Sequence, residues 1–178
     1  MSKYLAAILL ISIAIYSTCQ LHAAQKNKPV PSAPIPAPIL SAVRVFIANG
    51  GGDESYFDPQ YTGGPDRLYN EFYSAMKAWG RYDLVDSPGD ADLAFEIRLT
   101  IFQPQRSEPL SSDQPRYDSQ FHLAIRDLRT HETLWGLTEH AQTAVLQSNR
   151  DKNFEQALSA IIVELKRIAG PKPPAPNN

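Results

Sequence analysis

The chain has 178 residues, a formal net charge of −2, 43% hydrophobic and 20% charged residues, and one cysteine. That balance is globular, and it lacks both the basic excess of a nucleic-acid binder and a polybasic run for an anionic membrane surface. No nucleic-acid partner is therefore expected.

Lys3 precedes an apolar run over residues 4–16 (YLAAILLISIAIY). A lone cation followed by about a dozen apolar residues predicts a signal peptide, whereas a bilayer span needs about 20. Cleavage is placed after Ala23, with Ala24 as the alternative, so residues 1–23 form the leader and the protein is exported. A lipid-modified cysteine usually follows Leu three residues before it and a small residue directly before. Tyr16 and Thr18 hold those places at Cys19, so membrane attachment would come only through an unfavoured lipid there. When Cys19 leaves with the leader, disulfides and thiol catalysis leave with it.

Residues 24–40 are predicted to be a proline-rich linker. In the stretch 29–39 (PVPSAPIPAPI), proline fixes φ and removes amide donors, which favours extended polyproline II over core packing. It reads as a stalk or an unstructured tail. Residues 41–170 form the α/β domain, and residues 171–178 (PKPPAPNN) a disordered proline-rich tail.

Within the domain, residues 43–48 form a β-branched strand ending at Asn49-Gly50-Gly51-Gly52, where the glycines suggest a flexible turn. A helix over 66–79 carries Leu68, Phe72, Ala75, Met76 and Trp79 on one face and stops at Gly80. Residues 82–85 are a short strand. Leu93, Phe95, Ile97, Leu99 and Ile101 alternate with Ala94, Glu96, Arg98 and Thr100, so one strand face is buried and the other wet. Residues 103–119 read as a long loop. Phe121, Leu123 and Ile125 alternate with His122, Ala124 and Arg126, and a polar turn at 127–132 leads to a partner strand at 133–141. There Trp135 and Leu137 are expected to face inward opposite Leu123 and Ile125, with the turn type leaving the register open by one residue. The last helix, 151–169, has an apolar stripe of Phe154, Leu158, Ile161, Ile162, Leu165 and Ile168. The order β-α-β-β-β-β-α predicts an α+β two-layer sandwich: a mixed sheet of about five strands with two helices on one face.

Chemical motifs are absent. Asp53 and Glu54 follow the three glycines where a phosphate loop needs Lys-Ser/Thr opening a helix. The acids Asp53, Glu54, Asp58 and Asp66 do not have EF-hand spacing. His122, His131 and His140 show no zinc-ligand spacing, and no G-x-S-x-G elbow exists. No catalytic residue, metal ligand or cofactor is assigned. The candidate interaction loop is Asn49, Asp53, Tyr56, Phe57, Asp58 and Tyr61, in which aromatics and acids follow the glycines. Such aromatics either anchor a partner or fold back as a lid over the sheet edge.

The run from first strand through helix to Tyr82-Asp83-Leu84-Val85, with Ala91-Asp92-Leu93 opening a long strand, is one half of a resemblance. The other is the hairpin Asp127-x-x-Thr130-x-x-x-Leu134-Trp135 before an amphipathic helix. Together they resemble the exported α/β domains of bacterial cell-envelope proteins. That group includes the curli-assembly lipoprotein, the amino-terminal domain of the Tol translocation protein and related uncharacterised families. His131 stands where that turn commonly has glycine. The resemblance implies a non-enzymatic interaction or assembly role in the periplasm or cell envelope, with another envelope protein as partner. The alternative is an exported small-ligand or metal-binding protein using the Asn49–Tyr61 loop.

Overall fold

The computed structural model describes residues 33–52, 60–102 and 117–172. The chain divides into two compact units, Met1–Pro34 and Ile35–Asn178; the second holds every element below. In chain order these are α1 (Ala37–Ser41), β1 (Arg44–Gly52), α2 (Arg67–Trp79), β2 (Asp83–Val85), a 3-10 turn (Pro88–Asp90), β3 (Leu93–Phe102), β4 (Asp118–Asp127), β5 (Thr133–Ala141) and α3 (Gln147–Ala169).

The strands form one sheet in the order β2-β1-β3-β4-β5. β1 is parallel to β2 and β3, while β4 is antiparallel to both β3 and β5. This is the expected mixed five-stranded α+β sandwich. The alternation in β3 and β4 puts Leu93, Phe95, Ile97, Phe121, Leu123 and Ile125 into one core with Val45 and Ile47 of β1. Helix α2 covers β1 and β3, and α3 covers β4 and β5. They supply Leu68, Phe72 and Met76, and Phe154, Leu158, Ile161, Leu165 and Ile168. The β4–β5 register, open by one residue in the sequence, sets Leu123 opposite Leu137 and Ile125 opposite Trp135. Gly80 closes α2 with φ +64° and donates its amide to Met76 O, the left-handed termination that glycine reaches without steric cost.

Four local expectations are corrected. Part of the predicted linker is core: α1 begins at Ala37, inside residues 24–40, and Ile39 is 0% exposed. The proline count conceals the Ile35–Ile39 spacing, and proline at the start of α1 loses only an amide that has no helical partner there. The buried Arg81 guanidinium donates to Leu40 O (2.7 Å) and Ala42 O (3.1 Å), and Tyr82 Oη donates to Ile39 O (3.1 Å). β1 also runs on through the glycines to Gly52, with a register shift between Asn49 and Gly52. A Cβ at Gly50 would lie 2.9 Å from Ile97 O, so Gly50 serves close strand approach, while Gly51 takes φ +82° within the register shift. Asp118 and Ser119, assigned to the loop, begin β4; Ser119 is buried and pairs with Ile101 and Ala141. Finally, α3 starts at Gln147, one turn before residue 151. That turn, QSNR, is polar and shows no periodicity. It is held instead by Gln147 Nε2 and Arg150 Nε, which donate to Gln60 O at 3.1 and 2.9 Å.

Candidate functional site

The fold has two unlike poles. Ile35–Ala42 enters beside the start of β1 and the end of α3, where Arg81 also approaches Ala169 O at 3.5 Å. The β4–β5 turn lies at this pole too, since Leu128 N donates to Asp92 O and the Asp92 carboxylate accepts the Val43 and Arg44 amides. The ends of β1 and β3, the start of β4, the end of β5 and the start of α3 lie at the other pole, because β1 and β3 run toward it together and β4 and β5 alternate in direction.

At that distal pole, the ends of the candidate loop are tied down. Asn49 Nδ2 donates to Asp66 Oδ1 at 3.0 Å, and Asn49 Oδ1 accepts the Gly51 amide at 3.0 Å. Thr62 N donates to Asp151 Oδ1 (2.9 Å), and Arg67 reaches Thr62 O, Glu71, Asp151 and Glu155. The Arg67 guanidinium also lies 4.2 Å over the Phe154 ring, a cation–π placement. Tyr61 is half-buried with its ring 5.0 Å from Phe154. Burial pushes its hydroxyl pKa up, against a hydrogen bond to Ser119. Tyr61 thus folds back onto the core, and Asn49 joins the two ends of the loop. Asp53, Tyr56, Phe57 and Asp58 lie outside the described residues. Nearby, Phe102 is 51% exposed and Val145 and Leu146 are 79% and 62% exposed.

The histidines separate as their strand positions predict. His131 sits in the β4–β5 turn with φ +62°. His122 and His140 lie on the helix-free sheet face, His122 Nδ1 3.2 Å from Thr138 Oγ1 and His140 Nδ1 2.9 Å from Asp118 Oδ1. The His122 pKa is lowered by partial burial first, then by Arg98 and His140. Among the described residues, no group of three or more His, Cys, Asp or Glu side chains is placed to hold a metal ion. None of the described helices is long and apolar enough to cross a membrane.

Sequence reasoning placed Arg98 and His122 on wet strand faces without pairing them. The register sets them opposite one another, with Thr138 beyond His122. Only the shared polar parity of the two strands signals this; the alignment between strands is not local information.

No family model matches the chain, and no curated protein matches it. Solved structures resemble it at low identity. A variant of PelC from Paraburkholderia phytofirmans, described as a dodecamer, has a TM-score of 0.44 and 14% identity, covering 79% of this chain and 96% of that one. A DUF330 protein from Xanthomonas campestris has a TM-score of 0.44 and 15% identity, covering 79% and 89%. Uncharacterized lipoprotein B from Nitrosomonas europaea has a TM-score of 0.39 and 13% identity, covering 79% and 90%. These are distant likenesses of fold.

Proposed function

We propose that this chain is a non-enzymatic interaction domain of the bacterial periplasm or cell envelope, tethered through its proline-rich segment and binding another envelope protein with its distal pole. The supporting observation is the polarity of the fold. The described chain enters at α1 and reaches Gly170 on one pole, while the ends of β1, β3 and β5 and the start of α3 lie on the other. The exposed Phe102, Val145 and Leu146 lie at the pole opposite the one where Ile35–Ala42 enters the fold. Connections on a rigid sheet are where binding residues concentrate. The leader and the absence of a catalytic motif point the same way.

The test is site-specific photo-crosslinking of the full chain in a bacterial host. A photoreactive residue replaces either Val145 at the distal pole or Arg129 in the β4–β5 turn. We expect an exported protein that gives a discrete envelope-protein adduct from position 145 and none from 129. Retention in the cytoplasm, or adducts from position 129 alone, would overturn the proposal.

A further inference from the structure

Both large helices cover the same side of the sheet, and the opposite side is left to polar side chains. There, Glu96 of β3 faces Ala124 of β4 and Gly136 of β5, and the next row is Arg98, His122 and Thr138. Ala124 is too short to fill the space between its neighbours. A depression of about 260 Å³ results, lined by Glu96, Arg98, Thr100, His122 and Ala124.

The charges around it are unevenly matched. Glu96 pairs with Arg126 at 3.3 Å, and Asp92 with Arg44 at 3.7 Å. Asp118 holds His140 at 2.9 Å and Gln120 Nε2 at 2.6 Å. The exposed Arg98 guanidinium has no ion pair or side-chain hydrogen bond among the described residues. His122 has its Nδ1 engaged by Thr138, which fixes the ring and leaves Nε2 for another partner. Among the described residues, Asp92, Glu96 and Asp118 are therefore committed, and Arg98 adds a cationic charge to this face.

We infer that this sheet face docks an acidic segment of a partner protein, with one carboxylate seated between Arg98, His122 and the Thr100 hydroxyl. A guanidinium offers a planar fork that matches a carboxylate, and charge-assisted bonds of this kind are the stronger ones. The depression is small and open, whereas pockets that enclose free small ligands usually run to about 300–1,000 Å³. A side chain delivered by a larger partner fits it better than a free ligand. This surface is distinct from the distal connections, so the inference stands whichever way the crosslinking test falls.

The experiment is titration of the isotope-labelled full chain with hexaglutamate at low salt, followed by NMR. Hexalysine, inorganic phosphate and phosphatidylglycerol vesicles serve as separate arms. We expect hexaglutamate to shift the Arg98, His122 and Thr138 signals and to weaken with added salt. Arg98→Gln should raise its Kd about tenfold without altering the melting temperature. Arg167→Gln, which breaks a pair with Glu164 on α3, should leave that Kd unchanged. Equal hexaglutamate affinity in Arg98→Gln, or shifts confined to other surfaces, would overturn the inference. Binding of phosphate alone at these residues would replace it with a small-anion site, and binding of vesicles alone with a lipid surface.

Discussion

Arg67 on α2 and Asp151 on α3 meet at 2.8 Å, with side chains 12% and 19% exposed, and so join the two helices at the distal pole. The same Asp151 carboxylate accepts the Thr62 amide, so one acid anchors both a neighbouring helix and the end of the candidate loop. Removing Arg67 leaves that acid short of its cation and strips a contact from Phe154. Arg67→Ala should destabilise by about 1–3 kcal/mol, below the full effect of breaking a buried pair because water reaches the site. Urea denaturation checks the loss. A double-mutant cycle with Asp151→Ala should give a favourable coupling energy; additive effects would reduce the contact to packing alone.

Ile39 tests whether the end of the proline-rich segment belongs to the fold. It is fully buried, and its carbonyl accepts from Tyr82. Ile39→Ala should cost about 2–5 kcal/mol, the range for large-to-small core changes. A melting curve superimposable on the parent's would return residues 35–41 to the spacer.

Asp92 fastens the start of β1 by accepting the Arg44 amide at 2.9 Å and the Val43 amide at 3.0 Å. The Arg44 amide, aided by that of Val43, holds the Asp92 carboxyl below its ordinary value despite partial burial. The unfolded chain therefore takes up this proton first as pH falls. The stabilisation is complete above the unfolded-state value of about pH 4 and disappears as pH drops through the lower folded value. Asp92→Ala should lose about 1–3 kcal/mol at pH 7. Stability measured from pH 7 to 2 should fall less steeply in Asp92→Asn than in the parent; identical slopes would remove Asp92 from the acid response.

His131 occupies φ +62° in the β4–β5 turn, donating its amide to Asp127 O at 2.8 Å. Asp127 Oδ1 accepts the Arg129 and Thr130 amides, which sets this conformation locally. A left-handed backbone costs a residue with a Cβ about 1–2 kcal/mol, partly offset by the greater chain entropy of glycine. His131→Gly should thus stabilise by about 0.5–1 kcal/mol, and His131→Val should destabilise. Thermal melts of the two variants should move in opposite directions; a lower melting temperature for the glycine variant would locate a side-chain role for His131.

Periodicity is a local property, and what depends on it was legible before any coordinates. The two-residue alternation of β3 and β4 set which side chains are buried. The stripes from Leu68 to Met76 and from Phe154 to Ile168 assigned both large helices to that same core. The inward face of Trp135 and Leu137 followed too, but the turn left their register open by one residue until the β4–β5 pairing fixed it. The tertiary structure decided what depends on partners distant in sequence. Ile39 is core because Arg81 and Tyr82 bind carbonyls some forty residues away, at Leu40, Ala42 and Ile39. The first turn of α3 depends on Gln60 O accepting from Gln147 and Arg150, and the inward fold of Tyr61 on its contact with Phe154. Among the described residues, the fold gives Glu96 to Arg126 and Asp118 to His140, and Arg98 has no ion pair. Composition counts charges, but pairing them requires the distances that folding creates.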